Sequence, residues 1–329
     1  MPSLLSTVRS QATPLTTIAR ALESGRVHHA YLFEGPAGVG KELTAFGLAQ
    51  ALECERRPEG SAKACGECSA CLRVVPKDGL SRHPDVVVIE RGLYDAAQIG
   101  RRTPETQDIS IDQIRTLVLA RAAFPPHEGR AKVFIIRRAE ELSISAANAL
   151  LKTLEEPGAR TCFILLTTQP DALLPTILSR TLRVHFGLLA DETVEQILVA
   201  RGSEGDTKKL AALAEGSASR ALGLADPEER AARDAFVEKA TQAVDAPDAL
   251  LGLELAEEAK KDKGALAAHL VELARHYADE AKTRVSANDA TASRAAARFE
   301  AALTAIDGLE RNGAAQLVME SMILKMRNA

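Results

Sequence analysis

The run Tyr31-Leu-Phe33-Glu-Gly35-Pro-Ala-Gly38-Val-Gly40-Lys41-Glu42 decides the fold. A short apolar segment enters a glycine-rich turn, and a helical pattern leaves it. A phosphate-binding loop requires that placement. Glycines let backbone amides turn toward a phosphate, and the start of the helix adds partial positive charge. Gly35, Gly38, Gly40 and Lys41 are the candidate phosphate-contacting residues, with Lys41 reaching the outer phosphates. Seven of eight positions match G-x-x-x-x-G-K-[ST]. The eighth is Glu42, where a Ser or Thr hydroxyl normally ligates Mg²⁺. A carboxylate can bind Mg²⁺, but it is longer and meets the phosphates with like charge.

Beyond the loop, short apolar runs alternate with helical patterns. Tyr31–Phe33, Val86–Ile89, Val133–Ile136, Phe163–Leu166 and Val184–Phe186 read as strands. Buried runs separated by helices imply an α/β fold with a mostly parallel sheet covered on both faces. Ser143–Glu156 reads as a helix, with Ala147, Leu150, Leu151 and Leu154 at helical spacing and Pro157-Gly158 as its stop. Pro125-Pro126 and Gly92–Pro104 read as loops. After Phe186 the pattern is helical throughout. Asp191 is expected to cap a short helix, and Thr207–Ala225 is expected to be helical with a break at Gly216-Ser217. Asp226-Pro227-Glu228-Glu229 opens another helix. Leu266, Leu270, Leu273 and Tyr277 share one expected face; Phe299, Leu303 and Ile306 share another. Three parts follow: an α/β domain over 1–187, a small helical domain over 188–225 and a helical domain over 226–329.

A catalytic site of this kind holds Mg²⁺ with an Asp and polarises water with a Glu, both just after an apolar strand. Here Val133–Ile136 is followed by Arg137-Arg138, and Glu140 and Glu141 come later. Arg137 and Arg138 read as solvated strand-end residues; the alternative is direct phosphate contact in place of a metal. Either way the basis for metal-assisted hydrolysis is missing.

The 329 residues carry 46% hydrophobic and 26% charged side chains, with a net charge of −4. That mix excludes wholesale disorder and a disulfide scaffold. No run approaches the ~18 apolar residues of a membrane span, and the N-terminus lacks an apolar signal segment, so a cytoplasmic location is expected. Four of the five cysteines, Cys54, Cys65, Cys68 and Cys71, are spaced C-x₁₀-C-x₂-C-x₂-C. Such thiolates close one tetrahedral site, which makes a structural zinc the expected cofactor of an insertion over about 54–71. His83 is a conceivable substitute ligand, though four cysteines leave no vacancy. Cys162 reads as a buried core thiol. A zinc-module nucleic-acid binder is the competing class. The acidic balance and the 3% aromatics count against it.

Several motifs occur together: His29-Ala-Tyr-Leu-Phe33 before the loop, the four-cysteine insertion, His83-Pro-Asp85, Ile111-Asp-Gln-Ile-Arg115, Asn148-Ala-Leu-Leu-Lys-Thr-Leu-Glu-Glu-Pro157 and Ser179-Arg180. This set resembles the clamp-loader branch of the AAA+ ATPases over about residues 15–225, and only in architecture beyond. The resemblance implies a P-loop AAA+ domain, a helical lid and an all-α collar for oligomerisation. Within that branch, Glu42, Arg137 and Arg138 look more like the delta-prime type than the gamma/tau motors. The chain also ends at Ala329 without the extra domains of a tau subunit. Thr181 departs from the family's usual Cys after Ser-Arg. The resemblance further implies a non-catalytic subunit of a DNA polymerase III assembly, acting with gamma/tau motor and delta subunits to load a sliding clamp on primed DNA. Arg180, by composition an ordinary exposed residue, would then act in trans at a neighbour's ATP. Arg220, after Gly216-Ser217, is alone only part of a helix start. An active motor with Glu42 or Glu140 holding Mg²⁺ is the alternative.

Overall fold

A computed structural model describes residues 3–77, 79–100, 108–260, 263–287, 289–311 and 313–329. Five strands, β1 (Ala30–Glu34), β2 (Val86–Ile89), β3 (Lys132–Ile136), β4 (Thr161–Thr167) and β5 (Leu182–His185), form one sheet. All pairings are parallel and the order is β2-β3-β4-β1-β5. β1 to β4 are buried along their whole length, as continuous apolar runs demand when helices cover both faces. Side chains alternate with period two. Tyr31, Phe33, Val86, Val88, Val133 and Ile135 pack on one side with Ile18, Leu22, Phe46 and Leu48. Leu32, Val87, Ile89, Phe134 and Ile136 pack on the other with Ile114, Leu117, Leu150 and Leu154. Each such fully buried side chain contributes ~1.5–3 kcal/mol of transfer free energy.

β5 is an edge strand in which only Val184 is buried. It ends at His185, one residue earlier than the expected Val184–Phe186. Phe186 N–H still bonds to Glu34 O at 2.8 Å before the chain turns away, and its ring packs on Phe33. The expected helix Ser143–Glu156 is found as Ile144–Glu155, with Ser143 accepting from Ala146 N–H as its cap. The expected loop Gly92–Pro104 is described only to Gly100; its remainder lies outside the described residues.

The chain divides into units 1–225 and 226–329. Inside the first, helices Asp191–Ala200, Thr207–Leu213 and Ala218–Ala225 build a small core of their own from Leu189, Val194, Leu198, Ala211, Ala214 and Ala221. Asp191 does not cap: it is the first helical residue, and Ala190 holds the cap position without a side-chain bond. The second unit is all helical: Pro227–Asp245, Leu250–Glu258, Lys263–Ser286, Ala292–Glu310 and Ala315–Arg327. Asp226 accepts from Glu228 and Glu229 N–H at 2.9 and 3.0 Å, which fixes the entry to this unit. Leu266, Leu270, Leu273 and Tyr277 are buried together, with Met319, Met322, Ile323 and Met326 against them. Of the expected face Phe299–Leu303–Ile306, Phe299 and Ile306 pack against this core half-buried and Leu303 does not. Leu303 is exposed, and the buried stripe is Ala295, Ala302, Ala305 and Leu309. Small residues let that helix approach its neighbours closely. Among the described residues, no helix is long and apolar enough to cross a membrane.

Candidate functional site

β1 delivers the chain to Gly35, and helix Lys41–Glu53 carries it away. Gly38, at φ +75°, sits under the start of helix Ala218–Ala225, so a Cβ there would lie 2.2 Å from Ser217 Oγ and from Ser219 Oγ. Ala218 N–H donates to Gly38 O at 3.0 Å. Gln11 ties the loop from the other side, donating to Val39 O at 3.2 Å and Gly187 O at 2.8 Å. The loop lines a cavity of about 500 Å³ that also meets Glu90, Arg137, Arg138, Glu140 and Thr168. It lies at the carboxyl ends of β1, β3 and β4, where open parallel sheets bind ligands.

Lys41 is 8% exposed and folds back to donate to the carbonyls of Gly35 and Pro36. Burial lowers its ammonium pKa to about 8, against the opposing pull of the Glu140 carboxylate. Arg137 is not the solvated residue expected. Its side chain is 12% exposed. Its Nη2 donates to Glu42 Oε1 at 2.5 Å and its Nη1 to Glu90 Oε2 at 2.8 Å. Its guanidinium lies 5.8 Å from the centre of the Phe46 ring. Arg138 follows the solvated reading: it is 58% exposed, with Glu141 at 3.3 Å. Glu140 accepts from Thr168 Oγ1 at 2.9 Å across the cavity.

Mg²⁺ needs near-octahedral oxygen ligation at 2.0–2.1 Å. Of the cavity's carboxylates, Glu42 and Glu90 are both committed to one guanidinium, and Glu140, which accepts from Thr168, is left as a single ligand. A divalent ion beside that guanidinium meets repulsion on the order of 4 kcal/mol per unit charge at ~4 Å, somewhat less where half-exposed Glu42 admits solvent. The residues present do not fit a catalytic Mg²⁺.

The sequence missed Glu90, although a signal existed. β2 and β3 pair Ile89 with Ile136, so the residue after each apolar run falls beside the other. Arg137 N–H donates to Ile89 O at 2.9 Å, fixing that juxtaposition. Gln11, Phe46, Ser219 and Thr168 left no comparable sequence signal.

The sulfurs of Cys54, Cys65, Cys68 and Cys71 lie within 4.8 Å of one another. Cys65 Sγ and Cys71 Sγ are 3.8 Å apart, and an ion with ~2.3 Å metal–sulfur bonds in tetrahedral geometry needs an edge of about 3.8 Å. Cys65 N–H points at Cys54 Sγ and Cys68 N–H at Cys65 Sγ, each at 3.3 Å. The Glu67 N–H, with help from Cys68 N–H and the neighbouring thiols, outweighs burial and holds the Cys65 thiol down at about 6. Burial pushes Cys71 up. The donor set fits a closed four-thiolate metal site.

His83 is not part of that cluster. It is buried with its Nε2 4.0 Å from Glu53 Oε2. Its neighbour Asp85 accepts from the N–H groups of His127, Glu128 and Gly129 at 2.6–2.9 Å. Burial opposes the Asp85 charge, yet these three donors hold its carboxyl below the ordinary range. Cys162 is buried at the start of β4 and its thiol is raised by burial to about 12.

Arg180 follows the short helix Pro175–Leu178. It is 30% exposed and donates from Nε to Glu155 Oε1 at 2.7 Å, from Nη2 to the same oxygen, and from Nη1 to Thr176 O at 2.8 Å. It stands apart from the residues that line the loop cavity. Arg220 pairs with Glu215 at 2.6 Å.

Comparison with known proteins finds subunits of DNA polymerase III. The tau subunit of DNA polymerase III from Escherichia coli is 37% identical over 232 residues, 68% of this chain and 33% of the relative. The gamma/tau subunit from Mycobacterium tuberculosis is 36% identical over 197 residues, 60% of this chain and 31% of the relative. The delta' subunit from Pseudomonas aeruginosa is 42% identical over 154 residues, 46% of this chain and 41% of the relative. The chain thus spans about a third of the gamma/tau relatives it matches. A DNA polymerase III gamma subunit-related protein from Thermotoga maritima shares the fold, with a TM-score of 0.53 and 19% identity over 96% of this chain and 99% of that one. The family described as DNA polymerase III, delta subunit matches residues 10–190, more than half of the chain, and the chain belongs to that family of clamp-loader proteins.

Proposed function

We propose that the chain is a non-catalytic, delta-prime-type stator of the replicative clamp loader. It helps place a sliding clamp on primed DNA by supporting gamma/tau motor and delta subunits. Its own cradle does not hydrolyse ATP, and Arg180 is presented in trans to the ATP of an adjacent motor subunit. The observation that carries this reading is Arg137, held between Glu42 and Glu90 where the ion-handling groups of a motor would act. Residues 1–187 are the AAA+ domain, 188–225 its lid and 226–329 the oligomeric collar. Cys54, Cys65, Cys68 and Cys71 hold one structural zinc that fastens the insertion to the end of helix Lys41–Glu53.

The intramolecular Arg180–Glu155 pair does not oppose the trans role. An exposed pair of this kind is worth ~0–1 kcal/mol, which a phosphate oxygen readily replaces through stronger, charge-assisted bonds.

The gamma/tau names of the longer matches favour a second reading, an active motor. Reconstitution with gamma/tau and delta subunits separates the two. With Lys41→Ala in this chain alone, the assembly's ATPase stays within about twofold of wild type. A tenfold or greater loss supports the motor.

A further inference from the structure

The His83-Pro-Asp85 motif has no part in the function proposed above, yet His83 and Asp85 are buried. We infer that this motif, together with Glu53, couples the four-cysteine site to the loop that precedes β3: metal in the site holds residues 127–130 in place, and the held loop strengthens metal binding. The inference rests on the reading of the four cysteines as a zinc site, and it adds what the zinc steadies.

Two buried carboxyl groups take up four consecutive backbone N–H groups. Asp85 accepts from His127 at 2.6 Å, Glu128 at 2.9 Å and Gly129 at 2.8 Å. Glu53 accepts from Arg130 at 3.0 Å. Both acids are 1% exposed, so a donor that leaves strands a buried acceptor. A Cβ on Gly129 would lie 1.9 Å from Glu53 Oε2 and 3.1 Å from Asp85 Oδ2, so only glycine passes between them. The supports of this cradle adjoin the cysteines. Glu53 ends helix Lys41–Glu53, and Cys54 follows it. Arg73 lies beyond Cys71 on helix Ser69–Val74, and its guanidinium pairs with Glu128. Arg73 O accepts from Arg82 N–H at 2.9 Å and from Ser81 Oγ at 3.1 Å. Ser81 Oγ accepts from His83 N–H at 3.1 Å, and His83 Nδ1 from Asp85 N–H at 3.3 Å. Arg130 closes the circuit, its Nη2 donating to Glu55 O at 2.9 Å. Tetrahedral ligation would fix Cys54 and Cys71 relative to each other. It would thereby fix Glu53 and Arg73, two of the points from which the loop is held. Such coupling is reciprocal.

Hydrogen exchange on the full chain tests this, comparing metal-loaded with chelator-stripped wild type under reductant. Zinc removal is expected to speed exchange of the 127–130 amides by about tenfold or more, while the β3 amides stay within about twofold. Asp85→Asn turns an NH₂ group toward the loop's own N–H donors. It should weaken zinc binding several-fold in competition with a chelator. Phe124→Ala, at an exposed side chain just before this segment, should leave zinc binding unchanged. A change below about twofold at 127–130 on zinc removal, an equal rise across β3, or zinc affinity indifferent to Asp85→Asn overturns the coupling. The wild-type comparison needs no variant to fold. Wild type that carries no metal as purified overturns the zinc reading itself, and the coupling with it; metal analysis before the exchange experiment tells this failure from the others.

Discussion

Cys71→Ser is expected to lower the proposed zinc content from about one equivalent to none, because one corner of a closed four-thiolate site is lost. It also opens the insertion to proteolysis. Cys54 and Cys71 are buried in the main core, and Gln50 Nε2 donates to Cys71 O at 3.3 Å, so the site joins the insertion to the helix beneath the phosphate loop. Structural zinc supplies ~10–16 kcal/mol of binding free energy in small isolated modules. Here Ala64, Ala70 and Val74 also pack into the core, so opening is local rather than global. A loss of about 3 kcal/mol, or roughly 10 °C in Tm, is the expected scale. Metal analysis, limited proteolysis and thermal melting read these effects. Cys162→Ser, at the buried thiol outside the cluster, keeps its zinc. Wild-type protein with four titratable thiols and no zinc would remove the metal from the account.

Arg180→Ala carries the second large effect. An arginine supplied in trans accelerates phosphoryl transfer by ~10³–10⁵. Turnover at the one adjoining motor site should fall by about that factor, and total ATPase of the assembly by that site's share. Assembly itself should be intact, since the Arg180 side chain bonds Glu155, Thr176 and Ser179 at the exposed surface. Size-exclusion chromatography checks assembly, and ATPase of the reconstituted complex checks the rate. An unchanged rate in an intact complex removes the trans role. Glu155→Gln separates pairing from chemistry: it costs the exposed ion pair but leaves the arginine, so the rate should stay within a fewfold of wild type.

The sheet was legible because β1 to β4 are built on continuous apolar runs, and Val86–Ile89 was read with its observed bounds. The loop was legible because few residues other than glycine accept its backbone. The cysteine cluster was legible because its spacing alone brings thiols together. The state of Arg137 was not, because its partners Glu42 and Glu90 lie 95 and 47 residues away. Only the strand register brings Glu90 alongside. The same holds for Gly38 and Ser219, which meet only after the helices of residues 191–225 fold onto the loop. On helix Ala292–Glu310, Phe299 and Ile306 were placed on the core side correctly and Leu303 was not, because large residues were weighted over alanines. In a closely packed bundle the alanines mark the contact, and Leu303 is left to solvent.

The central claim is that a cradle whose ion place is filled by Arg137 cleaves no nucleotide. A single-turnover assay addresses it directly, with the isolated chain in excess over γ-labelled ATP and Mg²⁺ present. The account predicts phosphate release no faster than in buffer, for wild type and Lys41→Ala alike. Release by wild type that Lys41→Ala abolishes would contradict it.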